Sequence, residues 1–424
     1  MKKIHLMGIG GSGASAAAAI AQAHGYGVSG CDLDPKSIYL DELKNIKIFY
    51  DHSSAHLRGA DLLILSPAIE SLDKDNPEVT TARESGIPIM TWQEFVGTQL
   101  MKNQKVIAVT GTHGKTTTTT MISLILEKAG LDPTVIVGAP VREWQKNYRV
   151  GSGNIFVIEA DEYGDNFLNY PADIAVVTNM EMDHPEYYRD FDHLKASFQK
   201  FVLNMKEKST LFTTDSLDLT NHQGETIKIT PMKFELQVLG NFNQVNATFA
   251  YLVTKYLGVD EDKILETLRN FPGAGRRLEL IGQKGSIKVY DDYGHHPTEI
   301  TTTTQAVREK YPESEIWLIY QPHMYTRTKY LFKDFVNALR NCPVDQVILT
   351  EIWQSREKND YSVTSQQLVD AIAKSSVRKM SKYVDIAIYM HSRMKADSIA
   401  LFMGAGDIYL ASRELLKELK GKSD

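Results

Sequence analysis

Val106-Ile-Ala-Val-Thr-Gly-Thr-His-Gly-Lys-Thr-Thr117 is where the chain shows its chemistry most openly. The apolar run 106–110 reads as a buried strand, and 117–129 reads as a helix. Between them lies Gly111-Thr112-His113-Gly114-Lys115-Thr116-Thr117. In that setting backbone N–H groups can wrap phosphate oxygens. Lys115 supplies a point charge for the terminal phosphates, and the Thr116 hydroxyl can ligate Mg²⁺. Val109 stands where the first glycine of G-x-x-x-x-G-K-[ST] belongs, so the loop is tighter than usual but keeps the same donors. A bare Gly-Lys-Thr recurs by chance; the strand before it and the helix after it distinguish this one. ATP is the expected ligand.

The neighbouring strands end in the groups such a loop needs. The run 155–158 leads into Glu159-Ala160-Asp161-Glu162. An acid at the C-terminal end of a buried strand beside a phosphate loop suits Mg²⁺. Glu159 is read that way, whereas Asp161 and Glu162 read as a solvated acidic turn. The run 174–178 leads into Asn179-Met180-Glu181-Met182-Asp183-His184 and repeats the geometry, so a metal role is expected for His184.

A second glycine cluster opens the chain. Gly8-Ile9-Gly10-Gly11-Ser12-Gly13 fits G-x-G-x-x-G, after a predicted strand at 4–7 and before an Ala-rich helix near 15–23. Glycines let the backbone approach a pyrophosphate, and the helix N-terminus offers N–H donors. Asp32 ends the next strand, where dinucleotide folds place a ribose-binding acid. The pattern fits a nicotinamide cofactor, another nucleotide diphosphate, or a tight strand–helix turn. Two cradles imply two phosphate-bearing ligands, ATP and a nucleotide cofactor or nucleotide-linked substrate.

Strands are expected near 28–31, 62–65, 287–290, 316–320, 347–349 and 399–403, with amphipathic helices between them and a last helix near 414–419. The polar stretch 207–231 is ambiguous, and Phe271-Pro272-Gly273 breaks the pattern. The expected fold is α/β in three domains: a Rossmann-like N-terminal domain (1–103), a P-loop central ATPase domain (104–272) and a Rossmann-like C-terminal domain (273–424). A chain of 424 residues is too long for one compact core. The net charge of −6 offers no basic footprint for nucleic acid. Two distant cysteines, Cys31 and Cys342, read as reduced thiols rather than a disulfide framework or a Cys-rich metal site. Glycines interrupt what would be the apolar core of a signal peptide, and no run is long enough to span a bilayer. A cytoplasmic protein with no membrane partner is expected.

In the last third, Asp291-Asp292-Tyr293-Gly294-His295-His296-Pro297 and Gln321-Pro322-His323-Met324-Tyr325-Thr326-Arg327 each follow a strand. Zinc on His295, His296 and His323 is disfavoured, because adjacent histidines diverge and no cysteine completes a set. Polar strand ends facing a shared cleft fit better. Arg276 and Arg277 read either as structural salt bridges or as cations closing over ATP phosphates.

Taken together, these motifs resemble the Mur ligases along the whole chain. Gly111 to Thr119, Glu159 to Glu162 and Asn179 to His184 resemble the family's central domain. Asp291 to Pro297, Gln321 to Thr328 and Gly404-Ala-Gly-Asp407 resemble its C-terminal domain. The opening glycines and Ser66-Pro-Ala-Ile69 resemble the UDP-binding domain of the member that joins L-alanine to the lactyl carboxylate of UDP-N-acetylmuramic acid, through an acyl phosphate, in peptidoglycan precursor synthesis. The resemblance implies that Gly8 to Gly13, Asp32 and Ser66 hold the UDP-sugar rather than NAD. It implies that Gly111 to Thr117 hold ATP, with Lys115 on its phosphates. Thr116, Glu159 and His184 would hold Mg²⁺. Asn243 and Asn246 would face the adenine, Arg277 the phosphates and Asp292 the ribose. His295, His323 and Arg327 would line the amino-acid side.

Departures from the family pattern are equally specific. Phe242-Asn243 replaces a His-Asn pair, Met324 replaces an arginine, and 353–360 does not resemble the usual Tyr-Ala-Gly-Glu stretch. Phe198 stands where some members carry a carbamylated lysine, so none is expected. The related ligase that attaches a recycled tripeptide is the nearest alternative, favoured slightly by Glu162-Tyr163. An NAD-dependent oxidoreductase built on Gly8 to Gly13 leaves the second cradle and its carboxylates unexplained, and a binding protein that hydrolyses ATP only as a switch predicts ATP turnover without any amino acid.

Overall fold

The computed structural model describes residues 1–67, 69, 75–355, 357 and 362–421. Ala68 of the Ser66–Ile69 motif, and Arg356 and residues 358–360 of the 353–360 stretch, lie outside the described residues. The chain divides into two compact units, Met1–Met180 with Lys195–Met232 and Asn246–Arg269, and Glu181–Leu194 with Lys233–Val245 and Asn270–Asp424.

The first unit holds two sheets. One has five parallel strands in the order Lys47–Phe49, Gly27–Cys31, Lys3–Met7, Leu62–Leu65, Ile89–Thr91. The order reverses beside Lys3–Met7, which places the glycine loop at the switch point where open α/β sheets bind ligands. The helix Ser12–Ala23 packs its alanines tightly. A Cβ on Gly13 would strike the ring of Trp92, so this glycine serves helix packing.

The other sheet has seven strands in the order Glu225–Ile229, Thr210–Thr214, Ile174–Val177, Lys105–Thr110, Ile155–Glu159, Thr134–Val141, Lys146–Arg149. All pairings are parallel except the last. The ambiguous stretch 207–231 thus supplies two strands. Glu225–Ile229 lies at the sheet edge and is largely exposed, which removes the apolar signal a buried strand would give. The helix after the phosphate loop spans Lys115–Lys128, starting two residues before the sequence-based expectation. Its threonines are poor helix formers, yet Thr116 to Thr120 are all buried, and Thr120 Oγ1 donates back to the Thr116 carbonyl. Packing overrides propensity here. Phe198 is buried edge-on against Phe167, which stacks on Phe201.

The second unit contains a six-stranded sheet ordered Glu279–Lys284, Ile287–Asp292, Ile399–Met403, Ile316–Tyr320, Gln346–Leu349, Val377–Lys379. Only the pair at the Glu279–Lys284 edge is antiparallel. The run Ile316-Trp-Leu-Ile-Tyr320 is apolar throughout because helices cover both faces. Leu318 and Tyr320 enter one core, Trp317 and Ile319 the other. Three polar loops therefore leave the same edge, after Asp292, Tyr320 and Met403.

Candidate active site

The register of the seven-stranded sheet brings the phosphate loop and its acids together. Lys105–Thr110 lies between Ile155–Glu159 and Ile174–Val177, with Val109 opposite Glu159 and Thr110 opposite Val177. All three strands run the same way, so their C-terminal loops emerge side by side. Gly111 and Gly114 have φ of +126° and +84°, values that turn a strand into a helix in a few residues and that favour glycine. A Cβ at Gly114 would also lie 2.5 Å from Asn246 Oδ1. Asn179 clamps the loop from the neighbouring strand: its Oδ1 accepts from the His113 N–H at 2.9 Å and its Nδ2 donates to the His113 carbonyl at 2.9 Å.

Lys115 points back over the loop. Its ammonium donates to the Gly111 carbonyl at 2.7 Å, to the Thr112 carbonyl at 3.3 Å and to the Glu162 carboxylate at 2.8 Å. Burial works against its charge, but Glu162, Asp161 and Glu159 outweigh it and hold the group protonated well above the usual lysine range. The expectation of a solvated acidic turn holds for exposed Asp161 and fails for Glu162, whose side chain is 1% exposed. The 3-10 turn Tyr163–Asn169 begins directly after Glu162, and no periodicity in the sequence reveals that this acid faces inward.

Thr116 Oγ1 donates to Glu159 Oε1 at 2.8 Å, and Glu159 Oε2 accepts the Gly138 N–H at 2.6 Å. Two hard oxygen donors from different elements thus sit side by side at the mouth of the cradle, the donor type that Mg²⁺ takes. Asn246 accepts from Thr118 Oγ1 at 3.2 Å and borders the same loop. Thr112 and Thr117 are buried in it.

At the first glycine loop, Asp32 is engaged by the backbone. Its Oδ2 accepts the Gly10 N–H at 2.7 Å and its Oδ1 the Asp34 N–H at 2.9 Å, while Ser37 Oγ donates to the Gly10 carbonyl at 2.7 Å. The acid read as a ribose ligand thus also holds the loop in shape. Gly8 has φ +72°, and a Cβ there would lie 2.8 Å from Ser66 Cβ. Ile9 is fully buried and anchors the turn, while Gly11 caps the helix whose first residue is Ser12.

In the second unit the polar loops converge. Arg327, 1% exposed, donates through Nε to Asp183 Oδ1 at 2.7 Å, and its Nη1 lies 3.0 Å from His323 Nδ1. Burial opposes charge on Asp183, but Arg327 outweighs it and holds the carboxyl well below the usual range. The His295 ring lies 5.4 Å from that of His323. Burial, with Arg327 adding to it, lowers His295 to about 4, so its imidazole is neutral at neutral pH. His184 has φ +54° and its Nδ1 lies 3.3 Å from Glu186 Oε1. Asp292 accepts the Leu278 and Gly294 N–H groups, each at 2.7 Å; burial lifts its carboxyl to about 6 against the pull of Arg277. Arg277 lies 3.5 Å from Glu299 and over the Tyr293 ring. Its neighbour Arg276 follows the salt-bridge reading, bound to Asp291 at 2.9 Å and to the Gly404 carbonyl at 2.8 Å. Asn243 donates to the Leu239 carbonyl at 2.7 Å, at the start of the helix Asn241–Tyr256 that also carries Asn246.

One residue missed in the sequence, Tyr383, completes this region. Gln321 Nε2 donates to Asp407 Oδ1 at 2.8 Å and to the Tyr383 hydroxyl at 2.9 Å, and Tyr383 in turn donates to Asp407. Tyr383 opens a helix remote in sequence, and no motif marks it. Met324, with φ +71° and 1% exposure, turns its side chain into the core, while its N–H binds the Trp353 carbonyl at 2.8 Å.

Three family descriptions match the chain in order: "Mur ligase family, catalytic domain" over residues 3–105, "Mur ligase middle domain" over 109–223, and "Mur ligase, glutamate ligase domain" over 276–406. A UDP-N-acetylmuramate–L-alanine ligase of Alkaliphilus metalliredigens is 35% identical, covering 99% of this chain and 98% of the relative. The crystal structure of a UDP-N-acetylmuramate–alanine ligase from Thermotoga maritima superposes with a TM-score of 0.81 at 28% identity, covering all of both chains. A murein peptide ligase from Psychrobacter arcticus shares the fold, with a TM-score of 0.70 at 22% identity over all of both chains.

Proposed function

The chain belongs to the Mur ligase family, and from that premise we propose that it joins L-alanine to the lactyl carboxylate of UDP-N-acetylmuramic acid, using ATP, in the cytoplasmic synthesis of peptidoglycan precursors. The observation that carries this reading is the loop Gly111 to Thr117, with Lys115, Thr116 and Glu159 assembled on it, in a chain matched along its full length by ligases of that name. No helix among the described residues is long and apolar enough to cross a membrane. The proposed domains are 1–103 for the UDP-sugar, 104–272 for ATP and 273–424 for the amino acid.

The substrate carboxylate is a poor electrophile, so it must be activated. One of its oxygens attacks the γ-phosphorus of ATP, the bond to the β-phosphate oxygen breaks, and ADP departs, leaving an acyl phosphate. The neutral amine of alanine then adds to the carbonyl carbon. The carbon–oxygen bond to phosphate breaks, inorganic phosphate leaves, and the amine proton passes to a base. Lys115 and the loop N–H groups offset negative charge on the phosphates; catalysis here is chiefly positioning and electrostatics. Thr116, Glu159 and His184 are assigned to Mg²⁺, which when bound neutralises charge on the phosphate oxygens. Asn243 and Asn246 are assigned to adenine, Arg277 to phosphate and Asp292 to ribose. Gly8 to Gly13, Asp32 and Ser66 are assigned to the UDP-sugar, and His295, His323 and Arg327 to the amino-acid side.

The test is phosphate release by the purified protein with ATP, Mg²⁺ and UDP-N-acetylmuramic acid, with and without L-alanine. Release is expected to need every component and to yield a product heavier by one alanine residue. Stimulation by a peptide in place of alanine would reassign the chain to the peptide ligases, and bound or reducible nicotinamide would overturn the reading of the first domain. A second measurement addresses the metal. Glu159→Gln is expected to raise the Mg²⁺ concentration for half-maximal turnover by about 10-fold or more, and an unchanged Mg²⁺ dependence would remove Glu159 from the metal set.

A further inference from the structure

Behind the first glycine loop lies a group of side chains that the ligase reaction does not use. His5 on the strand Lys3–Met7, Cys31 at the end of Gly27–Cys31, His56 in the turn Ser54–Leu57 and Glu78 in the first turn of the helix Pro77–Glu84 converge. One potential ligand atom from each lies within 4.8 Å of all the others. Glu78 is central. Its Oε2 is 3.2 Å from His5 Nε2 and 3.3 Å from Cys31 Sγ, and its Oε1 is 2.9 Å from His56 Nδ1. Donors around a tetrahedral zinc ion sit about 3.3–3.6 Å apart, given bonds of about 2.0–2.3 Å. The contacts of Glu78 fall near that range, and the remaining donor pairs, all within 4.8 Å, need only close inward.

We propose that His5, Cys31, His56 and Glu78 form a tetrahedral zinc site in the N-terminal domain. The donor chemistry selects the metal: nitrogen and sulfur ligands with one carboxylate suit zinc and not Mg²⁺ or Ca²⁺. Charge balance agrees, because a dication with one thiolate, one carboxylate and two neutral imidazoles sums to zero, which limits the cost of burial. The next layer is also in place. His5 Nδ1 lies 2.9 Å from Ser29 Oγ, its cross-strand neighbour, which leaves Nε2 aimed at the cluster. His56 Nε2 lies 3.5 Å from Asp51, and Phe49 stacks on the His56 ring at 3.8 Å. Carboxylate and hydroxyl partners of this kind orient zinc-bound histidines.

The competing explanation is a metal-free hydrogen-bond network. It accounts for Cys31, which donates to Glu78, and for His56. It accounts less well for His5 Nε2, which is fully buried and whose one close partner, Glu78 Oε2 at 3.2 Å, is not aligned as a hydrogen bond. A buried nitrogen of that kind is costly unless something else takes its lone pair. His52 completes the surroundings, 3.4 Å from Cys31 Sγ and 3.5 Å from Glu78, with 15% of its side chain exposed, and offers a route for the ion from solvent.

Binding requires the Cys31 thiol to lose its proton to solvent. The ion would then tie together four segments of the domain. One of them holds the glycine loop, since the Cys31 carbonyl accepts the N–H groups of Gly8 at 2.9 Å and Ile9 at 3.1 Å.

The test uses the full chain, stripped with a chelator, with Mg²⁺ kept in excess to occupy oxygen-donor sites. Titration with Co²⁺ is expected to load one ion per chain, with tetrahedral visible bands and a thiolate-to-cobalt charge-transfer band; Zn²⁺ is expected to displace it and raise Tm. Cys31→Ser is expected to abolish the charge-transfer band, and His56→Asn to weaken binding by about 10-fold or more. Cys342→Ser is expected to leave the spectrum unchanged. Absence of a charge-transfer band in the wild type would overturn the site, as would a band that survives Cys31→Ser or Co²⁺ affinity unaltered in His56→Asn.

Discussion

Lys115→Met is expected to lower ATP-dependent phosphate release by about 10³-fold or more, a loss of about 4 kcal/mol of transition-state stabilisation. The side chain is the cation that bridges the Gly111 and Thr112 carbonyls and the Glu162 carboxylate at the mouth of the cradle. Methionine keeps most of the length and removes the charge. A complication is built into the geometry. Glu162 is buried, and losing its ammonium partner costs stability independently of catalysis. The double variant Lys115→Met/Glu162→Gln separates the two effects. Stability measured by denaturant unfolding should recover in the double variant, while turnover should not. Recovery of turnover along with stability would mean that Lys115 only neutralises Glu162.

The second large effect concerns the C-terminal unit. Arg327→Met is expected to destabilise it by about 3–5 kcal/mol, the range for removing one partner of a buried ion pair. Arg327 and Asp183 are both nearly inaccessible, and the guanidinium holds a carboxylate that burial alone would protonate. Asp183→Asn in the Arg327→Met background should restore much of the loss, because a neutral amide no longer needs a counter-charge. A shift in the unfolding midpoint equivalent to less than about 1 kcal/mol would show the pair to behave like an exposed one. The proposed amino-acid-side role of Arg327 is read separately, from KM for alanine in variants that remain folded.

Much of this is legible in the sequence. The strand–loop–helix around Gly111 to Thr117 identifies itself because glycines, a lysine and a threonine occur together between two elements whose periodicity is unmistakable. The apolar strands 155–158 and 174–178 were equally clear, since a central parallel strand is covered on both faces and has no polar positions to blur it. The edge strands Glu225–Ile229 and Lys47–Phe49 were not. They are short and partly exposed, and nothing in three to five residues separates a short strand from a loop.

The local order of residue types is enough to define the class of fold, the two glycine loops and the family, because each rests on patterns of residues close in sequence. The partners of those residues were settled by packing across long separations. Glu162 reaches Lys115 from 47 residues away, Asp183 meets Arg327 across 144, and Tyr383 meets Gln321 across 62. His5, Cys31, His56 and Glu78 carry no recognisable metal motif along the chain; one parallel strand pair, a short turn and a helix start place them around a single point. Whether a charged side chain faces water or a buried counter-ion depends on the dielectric and the neighbours that the assembled fold supplies, and these are properties of position in space rather than of order along the chain.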